Sequence, residues 1–225
     1  ILLLFFISIQ VIIFGQTQKH FPYLKRTSPI NNDYILFAYD ENHVQLINKP
    51  LSTNRENDYI VMGMVSPEKD GNEFTILFTE GESGDPTFYI RNKKKEDIFS
   101  INATELYITG NNIIYTAGHT NNMFDKRRKF TVTSSGVKEE KQPYYYVGLK
   151  GKTQTPVKLF KDLSAKEVIA VLPVNYEIEI LLCDTDEQSE DRFYLVKTEF
   201  GLVGWMILEN SYLYETPLEK LRYAG

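Results

Sequence analysis

The sequence predicts an all-β protein built as two domains. Fifteen tyrosines and fourteen phenylalanines supply side chains that fit a pleated, half-buried surface. Short apolar runs recur between clusters of Gly, Asn, Asp and Pro, which permit positive φ or fix turn geometry. Before about residue 210, no segment keeps the 3.6-residue period of an amphipathic helix. With 225 residues, 42% of them hydrophobic and 24% charged, the chain can build packed cores and is not a disordered tail.

The first element is ILLLFFISIQVIIFGQ. It is apolar from Ile1 to Phe14 except for Ser8 and Gln10, a length that suits a secretory h-region of about 7–15 residues better than a membrane span of about 20. Gly15 is a small residue suited to a cleavage point, so residues 1–15 are expected to be a signal peptide and the mature chain to start at Gln16. Neither a Met nor a basic n-region precedes the run, so the chain is expected to be truncated at its start. No cysteine follows it, which argues against a lipid anchor.

Residues 16–141 read as an N-terminal β meander, a sandwich or irregular barrel. Its strand candidates are DYILFAYD (33–40), HVQLIN (43–48), DYIVMGMV (58–65), EFTILFTE (73–80), TFYIRN (87–92), ELYIT (105–109), IIYTAG (113–118) and KFTVTS (129–134). ELYITGNNIIYTAG is the clearest hairpin, with Gly110, Asn111 and Asn112 at its turn. The polar stretch SSGVKEEKQP, Ser134 to Pro143, is the expected boundary.

Residues 142–212 form the second expected domain, and 213–225 a C-terminal tail. YYYVGLK (144–150), VKLF (157–160), EVIAVLP (167–173), YEIEILL (176–182), FYLVKT (193–198) and GWMIL (204–208) supply the strands. A sheet this short must curl to cover a core, so a small barrel is expected. In FYLVKTEFGLVGW, Gly201 can take positive φ in a tight turn, and Gly204 lets the returning strand pass closely before Trp205, the sole tryptophan.

That hairpin resembles the bacterial SH3-like domain family, whose last hairpin reads as aromatic, x, valine, charged residue, turn glycine, x, x, glycine, tryptophan. EVIAVLPVNYEIEILL is similar to the family's preceding pair of strands, so the likeness covers about residues 154–210. VKLFKDLSAKE lacks the Asn-x-Arg-x-Gly-Pro stretch usual in the first loop, and no ligand contact is carried over from that loop. The resemblance implies a small β-barrel in an exported or envelope protein, beside enzymes that cut peptidoglycan or as a tether to cell-wall peptides.

Charge and motif content narrow the chemistry. A net charge of −5 offers no general attraction to nucleic acid or anionic lipid. His20, His43 and His119 stand far apart and outside any His-Glu-x-x-His or Cys-x-x-Cys setting, so no metal site and no cofactor is expected. His119, in AGHTNNMFD, is the one catalytic candidate, because Asn121, Asn122 and Asp125 stand near enough in sequence to orient an imidazole. Cys183 lies in an apolar run with no histidine after it, which suits a small buried hydrophobe and not a cysteine peptidase. The acidic loop DTDEQSED and the basic runs RNKKKED and DKRRK read as solvated turns.

Aromatics make the better site. Tyr194, Tyr176, Phe160 and Trp205 are the expected ligand-binding residues, with Trp205 assigned to the core or half-core and Tyr194 to the surface. The function expected is that of an exported, non-catalytic, periplasmic or secreted protein binding a peptide or cell-wall ligand or an envelope protein, without nucleic acid or a membrane span in the mature chain. A hydrolase of wall or surface polymer using the N-terminal domain, and a structural or assembly factor, are the alternatives.

Overall fold

Burial alternates along most of the apolar runs, as a pleated strand half-covered by a core requires. Thr87–Arg91, for example, buries Phe88 and Ile90 and leaves Thr87, Tyr89 and Arg91 partly open. The computed structural model describes residues 21–51, 59–66, 73–81, 83–133, 136–184, 191–209 and 216–224. Among them every regular element is a strand: β1 (Lys25–Thr27), β2 (Leu36–Tyr39), β3 (Val44–Pro50), β4 (Ile60–Val65), β5 (Phe74–Thr79), β6 (Thr87–Arg91), β7 (Asp97–Asn102), β8 (Glu105–Ile108), β9 (Ile113–Ala117), β10 (Arg128–Thr133), β11 (Gly136–Glu139), β12 (Tyr145–Lys152), β13 (Val157–Phe160), β14 (Val168–Leu172), β15 (Glu177–Cys183), β16 (Arg192–Thr198) and β17 (Val203–Leu208). The protein is all-β. The expected signal peptide and most of the acidic loop lie outside the described residues.

Three sheets result. The first has the order β1-β2-β8-β9-β10-β11, the second is the meander β3-β4-β5-β6-β7, and the third runs β12-β15-β16-β17-β13-β14. After β2 the chain makes the whole second sheet before returning as β8, which pairs with β2 in parallel. The first two sheets share one core: Phe37, Leu106, Ile114 and Phe130 from one meet Met62, Ile76, Phe78, Phe88 and Ile90 from the other. At the hairpin tip Gly110, Asn111 and Asn112 all have positive φ. A Cβ at Gly110 would come within 2.6 Å of the His43 ring, so glycine is needed there for space as well as for conformation.

The third sheet wraps a separate core of Tyr145, Val147, Leu159, Ile178, Ile180, Tyr194, Val196, Met206 and Leu208. Irregularities at Tyr146/Leu149, Leu159/Phe160 and Ile180/Leu182 break its ladders, as bulges that sharpen twist and bending do. Gly201 closes the β16–β17 turn at φ +96°. At Gly204 a Cβ would lie 2.9 Å from Ile169 Cδ1 and 3.1 Å from the Phe160 carbonyl oxygen, the close approach expected there.

Several strands and segments depart from expectation. β1, β7 and β11 were not foreseen, and each is the outer strand of its sheet. β11 lies inside SSGVKEEKQP, so part of the expected linker is a strand paired with β10. Met123 and Phe124, before the expected boundary, pack in the core of the third sheet. So do Leu218 and Leu221, which were expected in a tail.

Candidate functional site

Strand parity in the third sheet decides which aromatics can meet a ligand. In β16, Tyr194 and Val196 are both fully buried, while Phe193 and Leu195 are half-exposed. In β17, Met206 and Leu208 are buried and Trp205 and Ile207 half-buried. Tyr194 therefore faces the core, and its expected place on a binding surface is corrected. The parity is set by the opposite wall: Tyr194 packs edge-on against Phe124, with ring centroids 6.4 Å apart, and Phe124 belongs to a segment far away in sequence.

Trp205 instead stands on the outer face. Cross-strand pairing lines up Tyr146, Leu182, Leu195, Trp205, Phe160 and Val168 in one row across all six strands. Tyr146 and Val168 at its ends are 54% and 46% exposed, so the row is open to solvent. The Tyr144 ring lies over Trp205, centroids 5.6 Å apart. Tyr146 folds over Gly148, whose φ of +67° and missing side chain make room for the phenol. Two expected residues, Phe160 and Trp205, thus share the row with Tyr146, and Tyr144 packs against Trp205.

Tyr176 does not join this row. It is half-buried at the start of β15, its amide donating to Thr153 Oγ1 at 2.9 Å. Six residues of strand separate it from Leu182, roughly 20 Å at about 3.3 Å per residue.

A charged row runs beside the aromatic one. Lys150, Glu179, Lys197 and Val203 are register partners on the same outer face, two residues along from Leu195 and Trp205. Lys150, Glu179 and Lys197 line a cleft of about 500 Å³ that also has Lys152, Glu177, Glu199, Glu219 and Lys220 on its walls. Lys152 pairs with Glu177 at 3.7 Å and Lys197 with the half-buried Glu179 at 3.9 Å, long contacts on largely solvated side chains that contribute little to stability. Groups so loosely paired can exchange their partners for those of a ligand.

The residues weighed for catalysis are held in structural contacts. His119 Nε2 donates to the Arg222 carbonyl at 2.8 Å. Asn121 bonds the Ala224 carbonyl and accepts from the Tyr223 hydroxyl, Asn122 bridges to Ala224, and Asp125 pairs with Arg127. The AGHTNNMFD loop is a strap on the C-terminal residues. Cys183 is buried, and burial together with the Asp184 carboxylate pushes its thiol up to about 12, far from a reactive thiolate. The described residues contain no cluster of three metal-ligating side chains.

No family model matches the chain, and no curated protein or solved structure is significantly similar to it.

Proposed function

We propose that the chain is an exported, non-catalytic envelope protein whose third sheet, an SH3-like module, binds a cell-wall peptide. The observation that carries this reading is the adjacency of two rows on one open face: an apolar row centred on Trp205 beside Lys150, Glu179 and Lys197. Aromatic rings offer large contact area at small entropic cost. Matched lysines and glutamates suit a ligand that carries both amino and carboxylate groups, as short wall peptides do, and not a polyanion. The FYLVKTEFGLVGW hairpin and the apolar N-terminal run support the envelope setting.

Titration with purified muropeptides tests it, with Trp205 as the reporter because no other tryptophan contributes. Saturable change in Trp205 emission, weakened by salt, is the expected result. Unchanged emission at millimolar muropeptide contradicts it. A second reading, a structural or assembly factor, is favoured by β14, an outer strand exposing Val168, Ile169 and Val171. Under that reading a pull-down from envelope extract recovers a protein whose capture is lost on Val171→Lys, and muropeptides leave the emission unmoved.

A further inference from the structure

We propose that the outer face of the first sheet holds a second, separate ligand site: a cleft with an aromatic floor that takes a ring carrying a single carboxylate. The cleft measures about 660 Å³, within the range of small-molecule sites. Its floor follows from register. Ala38, Tyr107, Tyr115 and Lys129 are successive partners across β2, β8, β9 and β10, all on the face away from the core. Phe21 closes the floor, its ring 5.1 Å from both Tyr107 and Tyr115.

The aromatic part of the floor, beside Lys129, is held in place. Tyr107 is 5% exposed and its hydroxyl donates to the Glu105 carboxylate. Burial and that carboxylate both hold its phenol protonated. Tyr115 remains half-exposed as a face on which a ring can stack.

One wall supplies the charge. The segment after β11 is tied to β10, since the Glu140 amide bonds the Lys129 carbonyl at 2.9 Å and Gln142 Nε2 bonds the Arg127 carbonyl at 3.3 Å. That tie brings Lys141 to the cleft beside Lys129. Arg127 and Arg128 are engaged by Asp125 and Glu139, whereas Lys129 and Lys141 make no ion pair among the described residues. Two ammonium groups next to an aromatic floor fit a carboxylate on a ring. Glu105, Asp125 and Glu140 also border the cleft and repel an extended polyanion, which limits the ligand to one acidic group.

Calorimetric titration at low salt tests this, with 1-naphthoate as an aryl acid, glucuronate as a sugar acid, and 1-naphthalenemethanol and glucose as their neutral counterparts. Saturable binding of at least one acid is expected, at least tenfold tighter than its neutral counterpart. Binding should weaken at least tenfold in the Lys129→Gln, Lys141→Gln double variant; Lys141 is exposed and Lys129 half-exposed on the open face of β10, so the melting temperature should stay within a few degrees of the parent. Tyr115→Leu should weaken the acid and its neutral counterpart alike. Trp205→Ala should leave this binding intact, which separates the site from the one on the third sheet. Failure of both acids to saturate at millimolar concentration, or acid binding unchanged in the lysine double variant, overturns the proposal.

Discussion

Tyr194 and Met206 face the core of the third sheet as cross-strand partners, while the neighbouring pair Leu195 and Trp205 faces outward. Tyr194 is fully buried, and its hydroxyl has no hydrogen-bond partner among the described residues. Tyr194→Phe should therefore keep or raise stability, by up to about 1 kcal/mol, while Tyr194→Ala should cost about 3–5 kcal/mol, both read from urea denaturation. Along FYLVKT both faces of the strand carry an aromatic and a branched residue, Phe193 with Leu195 and Tyr194 with Val196. Which face is inside depends on Phe124, which no local pattern connects to this strand. Glu139 accepts from Arg128 at 2.6 Å and from Tyr145 at 3.0 Å. Burial pushes its carboxyl up, but the guanidinium and hydroxyl outweigh burial and hold it below the usual range. Its folded pKa is thus depressed, so its contribution is present above the unfolded value of about 4.3 and is lost as pH falls below that. Glu139→Gln should lower stability at pH 7 by about 1 kcal/mol and flatten the loss between pH 7 and pH 3. Equal acid sensitivity in the two proteins would contradict this.

At the scale of elements, strands flanked by turn residues were legible and outer strands were less so. Gly110-Asn111-Asn112 announces its hairpin because three successive positive φ values admit few other residues. β1 and β11 went unseen because a strand at the margin of a sheet can carry polar and charged residues on its open side, which erases the apolar run; β7, DIFSIN, keeps Ile98, Phe99 and Ile101 and was passed over beside the charged run before it. In β11 only Gly136, Val137 and Glu139 are even partly covered. This strand predicts a proteolytic pattern. Trypsin should cut after Lys141, in the exposed stretch from Glu140 to Tyr144, before it cuts after Lys138, whose backbone is paired to Thr131. Primary cleavage after Lys138, mapped by mass spectrometry, would mean that β11 does not stay on its sheet.

For the whole molecule, the strap from His119 to Asp125 joins the two cores. Met123 and Phe124 leave the first sheet's chain path to pack under the third, and Asn122 pairs with Ala224 from the far end of the sequence. Phe124→Ala, a change in the N-terminal half, should destabilise the third sheet by about 3–5 kcal/mol, reported by Trp205 emission. For the same reason a fragment starting at Pro143 should melt well below the intact chain. This union was not legible: MFD in a polar loop has no period, and two apolar side chains do not reveal which core they enter. The outer row was half legible, since aromatic content pointed to Trp205 and Phe160 but not to the register that aligns them with Tyr146. On the proposed function, this row, with Trp205 at its middle, binds and does not hold the fold together. Trp205→Ala, measured side by side for thermal unfolding and for muropeptide binding by calorimetry, separates the two roles. A cooperative transition within a few degrees of the parent is expected, with binding weakened at least tenfold, as truncation of an aromatic hot spot does. A variant that loses its cooperative transition, or one that is folded and binds as tightly as the parent, would contradict it.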